Sequence, residues 1–249
     1  MMKQSIVFMF HAIGSDKELL GSDPHYSFSL DKFEQFIRQC GSCRSLKDSI
    51  SGDAAKNIIT FDDGHISNFK AAQIIKDTNG GTADFFINPN TVSTPNFLSW
   101  SQLQEMNNMG MSIQSHSLDH LYLSDMTIDE QRRQLEVSKK TIEDKLGVAV
   151  TILAPPGGRF NQETIRLCHE LGYEHLSVSE PGRWSGSYIS KRIAVYQNTK
   201  VKELLGCNKA LSAYLINQIL KYRVTGVAKS VFGNRSYDIM RSKILGSAS

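Results

Sequence analysis

Short apolar runs alternate with helix-patterned segments along the first two hundred residues, and this alternation limits the possible folds more than any other property of the chain. The runs at 5–10, 57–61, 83–87, 111–115, 150–154, 175–178 and 192–196 are four to six residues long, as expected for strands covered on both faces. Helical signals separate most of them. Leu30, Phe33, Phe36, Ile37 and Cys40 fall on one helical face, which Gly41 ends, and a second pattern at 66–77 is closed by Asn79-Gly80-Gly81. Ser99 heads a helix carrying Trp100, Leu103 and Met106 as far as Gly110. Thr127 and Glu130 form a capping box ahead of Ile128, Leu135, Ile142 and Leu146, with Gly147 as the stop. Asn161 heads Ile165, Cys168 and Leu171 before Gly172. Seven strands with helices between most of them predict βα units around a parallel sheet, open or closed. The 249 residues suit one α/β domain, alone or with an extension.

Chemistry-bearing residues collect just after four of these strands: His11, then Asp62 with Asp63, then His116 with His120, then Pro155 to Gly158. In a barrel or an open sheet alike, that edge is where ligands bind. Adjacent carboxylates repel, so Asp62-Asp63 is stable mainly when a cation binds one of them or water screens both. Asp-Asp-Gly is by itself more often a turn. Two imidazoles four residues apart can face one point if the segment forms a helical turn, although His-x-x-x-His is common by chance. Taken together, Asp63, His116 and His120 supply the N and O donors of a catalytic zinc-type site with an open water position. Asp62, beside that set, is placed to take a proton from the water.

These residues resemble the polysaccharide deacetylases with the NodB-homology domain. The resemblance rests on Thr60-Phe61-Asp62-Asp63-Gly64 and on His116-Ser117-x-x-His120, and extends more loosely over residues 5–197. It implies a distorted (β/α) barrel of about seven parallel strands spanning 1–198, with Asp62 as general base and Asp63, His116 and His120 as ligands of a divalent metal, zinc first. The family's third motif, Arg-x-Pro-Tyr-Gly, aligns with Ala154-Pro155-Pro156-Gly157-Gly158, which lacks the Arg that orients the base and the Tyr. Gly157 can still give a backbone N–H to an oxyanion, because that donor is main chain; the same Pro-Pro-Gly-Gly also reads as a plain rigid turn. No His follows His175 to serve as a C-terminal acid. Phe10-His11 resembles instead the branch containing the poly-N-acetylglucosamine deacetylases, which points to His11 as general acid with His65 in reserve. His25, His169 and His175 read as surface or packing residues. Trp184 and Arg192 are candidates to line the sugar cleft, each with an alternative as core residue or structural ion pair. The implied reaction removes an N-acetyl group from an amino sugar of a polysaccharide or lipid-linked glycan. The alternatives are deformylation of a formamido sugar and a catalytically degenerate carbohydrate-binding protein.

Charge is divided unevenly. Residues 200–249 hold nine Lys or Arg against two acids, a balance of +7, which leaves −4 for residues 1–199 in a chain of net charge +3. This segment, 199–249, reads as a basic helical extension with Leu204, Leu205, Leu211, Tyr214, Leu215, Ile219, Leu220, Tyr222, Val227, Val231 and Phe232 among its cations. Such a surface suits anionic lipid headgroups, and equally helices packed on the barrel or on a partner. It carries no nucleic-acid motif. The apolar start is shorter than a secretory h-region, and no apolar stretch approaches the roughly 18 residues of a spanning helix. The expected location is therefore the cytoplasm, at the inner face of the membrane if the extension binds lipid. Four scattered cysteines give no disulfide framework, and Cys40-Gly41-Ser42-Cys43 lacks the second pair or preceding strand that a zinc or redox role would want.

Overall fold

In the computed structural model, which describes residues 4–14, 20–52 and 55–232, seven parallel strands close into a barrel. They are β1 (Ile6–Phe10), β3 (Asn57–Phe61), β4 (Asp84–Ile87), β5 (Ser112–Ser115), β6 (Ile152–Leu153), β7 (His175–Val178) and β8 (Ile189–Ala194). The order runs β1-β8-β7-β6-β5-β4-β3, and β1 pairs with β3 to close the ring. The choice left open by the strand pattern is thus settled in favour of a distorted (β/α) barrel. The distortion has a local origin. A two-residue strand, β2 (Cys43–Arg44), pairs with the start of β3 on the edge that β4 takes further along. A short helix, α2 (Leu46–Ser51), follows β2, and its first two amides, Leu46 and Lys47, donate to the buried Asp84 carboxylate on β4. The sequence pattern anticipated neither element.

Five outer helices follow the expected signals: α1 (Leu30–Gln39), α3 (Asn68–Asn79), α4 (Trp100–Asn108), α5 (Ile128–Leu146) and α6 (Gln162–Glu170). Ser99, Thr127 and Asn161 each cap their helix reciprocally with the third helical residue, and left-handed Gly80 and Gly147 end α3 and α5. Helix α3 begins two residues later than the pattern suggests. Ser67 lies just before it, with its hydroxyl accepting from the Ile13 amide and bonded to His65 Nδ1.

Strand alternation divides the apolar residues into two cores. Ile6, Phe8, Phe10, Ile59, Phe61, Phe85, Ile87, Ile113, Leu153, Leu176 and Ile193 meet the helices outside the barrel. A second cluster contains Val7, Ile58, Phe86, Ile152 and Ala154, with Leu46 and Trp184. The expected boundary at 198/199 coincides with no break in packing. Val201 and Leu204 of α7 (Val201–Gly206), then Cys207, then Leu215 of α8 (Ala213–Phe232) are buried in the outer core. Residues 233–249 of the expected extension, and the side chains of Val227, Val231 and Phe232, lie outside the described residues. Among the described residues no helix is long and apolar enough to cross a membrane.

Candidate active site

A cleft of about 470 Å³ lies at the C-terminal end of the barrel, and His11, Asp62, Asp63, His116, His120 and Gly157 all line it. Four different strands deliver them. Asp62 and Asp63 follow β3, where Asp63 takes a left-handed φ of 71° and Gly64 takes the same value with Ile87 close behind it. Ser117 and His120 are also left-handed, so three of the five non-glycine residues with positive φ among the described residues sit in the two motifs. Each costs of order 1 kcal/mol or more against an ordinary conformation and persists only because its surroundings hold it. For the histidine segment those surroundings are visible. Gln134 of α5 accepts from the Leu118 and Asp119 amides at 3.0 and 3.1 Å and donates to the Asp119 carboxylate at 2.7 Å. Ser138 donates to the Ser117 carbonyl at 3.1 Å.

His116 Nδ1 lies 2.7 Å from the Ala154 carbonyl oxygen. A carbonyl only accepts, so Nδ1 carries the proton and Nε2 presents a lone pair to the cleft. That Nε2 is 3.3 Å from Asp63 Oδ1, and His120 Nε2 is 3.1 Å from the same oxygen. Oδ1 is buried and makes no hydrogen bond among the described residues. Three lone-pair atoms facing one another at this spacing match the ligands of one cation, since donors about 2.0–2.1 Å from a tetrahedral zinc lie roughly 3.3 Å apart. The donor set and its geometry therefore fit a divalent metal. Burial raises the Asp63 carboxyl, and where His116 and His120 carry a proton on Nε2 in place of a shared cation, their contacts outweigh burial and hold it well below the carboxylate range.

Asp62 has a partner that sequence reasoning missed. Arg192, on β8, donates to it twice, from Nη1 at 2.6 Å and from Nη2 at 2.9 Å, and Nη1 also reaches Thr60 Oγ1 at 3.2 Å. The guanidinium is fully buried, over the Phe86 ring. Burial pushes Asp62 up; the Arg192 charge outweighs this and keeps the carboxyl below its usual range. Of the two readings of Arg192, as a lining of the sugar cleft or as a structural ion pair, the buried contact with Asp62 matches the second. The only available signal was one Arg among apolar neighbours in a strand. The cleft reading of Trp184 is corrected. Its backbone pairs with Ser5 just before β1, at the opposite end of the barrel, and its buried indole donates to the Ser187 carbonyl.

His11 packs against Tyr26 with tilted rings whose centroids are 4.6 Å apart, and its Nδ1 is buried without a partner among the described residues. Burial lowers its pKa, with Asp63 and Asp62 pulling the other way. His65 bonds Ser67 and the Leu20 carbonyl outside this cluster. Gly157 has φ +59°, and a Cβ there would sit 2.7 Å from Tyr122, so its backbone reaches the cleft only as glycine. Tyr122 is itself covered by the Arg159 guanidinium at 4.0 Å. One further wall comes from α8, through Gln218, Lys221, Tyr222 and Thr225.

Residues 51–176 match the polysaccharide deacetylase family. YxkH of Bacillus subtilis, whose name assigns it to the polysaccharide deacetylases, is 33% identical over 196 residues, covering 76% of this chain and 70% of its own. Among solved structures, the Streptococcus pyogenes deacetylase PplD in complex with acetate superposes with a TM-score of 0.75 at 23% identity, over 84% of this chain and all of that one. A polysaccharide deacetylase from Bacillus cereus gives 0.75 at 22% identity, over 83% of this chain and 69% of that one. At these identities the two structures speak for the fold.

Proposed function

The chain belongs to the polysaccharide deacetylase family, and from that premise we propose that it is a metal-dependent hydrolase that removes the N-acetyl group of an amino sugar in a polysaccharide or lipid-linked glycan. The observation that carries this reading is the adjacency, in one cleft, of a buried Asp62–Arg192 pair and a three-donor cluster of Asp63, His116 and His120. Asp63, His116 and His120 would hold the cation, zinc first, which supplies Lewis-acid polarisation of the water and of the amide carbonyl. Asp62, ionised and fixed by Arg192, takes the proton of the attacking water. The Gly157 N–H donates to the oxygen of the tetrahedral intermediate. His11 gives a proton to the departing amine; because burial lowers its pKa, its protonated form is a stronger acid than free imidazole.

The degenerate alternative rests on the missing motif Arg and Tyr, and Arg192 supports the active reading on the first count by pairing with Asp62. The test is acetate release by zinc-loaded protein from N-acetylglucosamine oligosaccharides and from a lipid-linked amino sugar. Asp62→Asn and His11→Ala should each lose about 10²- to 10⁴-fold in kcat. Undiminished release by Asp62→Asn removes the base assignment, and formate release from a formamido sugar in preference to acetate would reassign the acyl group.

A further inference from the structure

The two long faces of α8 have opposite characters. Gln218, Lys221, Tyr222 and Thr225, spaced i, i+3, i+4 and i+7, line the cleft, while Leu215 points into the outer core. On the far side Ile216, Leu220 and Val224, spaced i, i+4 and i+8, are 45%, 56% and 69% exposed, and Leu211 just before the helix is 86% exposed. Scattered exposed apolar side chains are ordinary, but a continuous stripe along a helix is not. The stripe also has company at its end of the barrel: the loops leaving β1, β3 and β5 expose Leu20, Ile66 and Leu121 around the catalytic face. Lys221 and Arg223 flank the stripe, both exposed, and neither has a carboxylate partner among the described residues.

From this pattern we infer that the exposed face of α8, the side turned away from the cleft, docks on an anionic lipid bilayer. An apolar stripe between cations on an otherwise polar helix is the arrangement that lies in a membrane interface, with the side chains in the acyl boundary and the charges among the phosphates. Residues 213–232 of α8 contain three cations and no acid, which selects this occupant over a second copy of the chain, because an isologous dimer through the helix would set like charges together. Nucleic acid is disfavoured by the apolar centre of the face.

The test is sedimentation of the full chain with vesicles of equal parts phosphatidylglycerol and phosphatidylcholine, and with phosphatidylcholine alone, at low and high salt. The protein should pellet with the anionic vesicles at low salt, less so at high salt, and little with the neutral ones. The double variant Leu220→Asp/Val224→Asp should bind roughly tenfold or more weakly while keeping its melting temperature and its activity on soluble oligosaccharide. A milder variant, Val224→Ser, should be intermediate if the double variant folds poorly. Failure of the unaltered protein to pellet at low salt overturns the proposal, as does binding indifferent to both variants. A dimer in light scattering that the Asp variants dissociate overturns it in favour of a second copy. Vesicle binding is read without turnover, so it stands or falls apart from the deacetylase reading.

Discussion

Asp62 and Arg192 are two charges held inside a barrel, where each ion loses several kcal/mol of hydration. Two parallel N–H···O bonds and an opposite charge offset that loss, and they also fix the plane of the carboxylate. Lysine at 192 would keep the charge and lose the fork. Arg192→Lys is therefore expected to lower kcat about 10- to 100-fold while KM and bound metal change little, which separates loss of aim from loss of binding. Full activity in that variant would mean that Asp62 needs no positioning partner. The acids and the imidazoles were legible because each motif is local and its residue types are uncommon together. Arg192 was not, since it lies 130 residues from Asp62 and meets it only once β8 and β3 both flank β1. Trp184 misled for the related reason that strand order says nothing about which end of the barrel a later loop will cover.

The histidine segment depends on α5 as much as on its own strand. Left-handed Ser117 and His120 bring both imidazoles to Asp63, and Gln134 satisfies two amides of the loop that would otherwise be buried without partners. In Gln134→Leu those amides lose their acceptor and Asp119 loses a donor, so the loop has less reason to keep its strained turns. Zinc affinity, measured by competition with a chromogenic chelator, should fall about 10- to 100-fold, the range typical of groups that hold metal ligands in place. Unchanged affinity would show that β5 alone sets the ligand geometry. The outer helices were legible because capping boxes and stop glycines are written within a few residues of each end. Elements β2 and α2 were not. A two-residue strand has no period to detect, and α2 is held at its start by Asp84, a residue on another strand.

Across the whole molecule, the alternating pattern revealed the number of strands but not their closure, which rests on the β1–β3 pairing and on side chains filling the barrel interior. Two buried titratable groups near the barrel's N-terminal end tie stability to pH with opposite signs. His175 begins β7 with its Nε2 buried and unpartnered among the described residues, and burial lowers its pKa from 6.5 to about 4. The unfolded chain therefore takes up this proton first. The contribution is complete above pH 6.5 and is lost as pH falls towards 4, by up to about 3 kcal/mol. Asp84 is the reverse case. Burial raises its carboxyl from 3.8 to about 7 despite the α2 amides, so its contribution is complete below 3.8 and is lost as pH rises towards 7, by up to about 4 kcal/mol. Over this shared window the two slopes oppose each other, and removing either group exposes the other. Relative to the unaltered protein, His175→Leu should gain stability as pH falls from 7 to 4, and Asp84→Asn should gain as pH rises over the same range. Urea unfolding of the three proteins at several pH values reads the differences directly, free of groups common to all. Two differences of the same sign, or none, would mean that at least one of these side chains is hydrated in the folded protein, and that the barrel is open to water at the end where Trp184 lies.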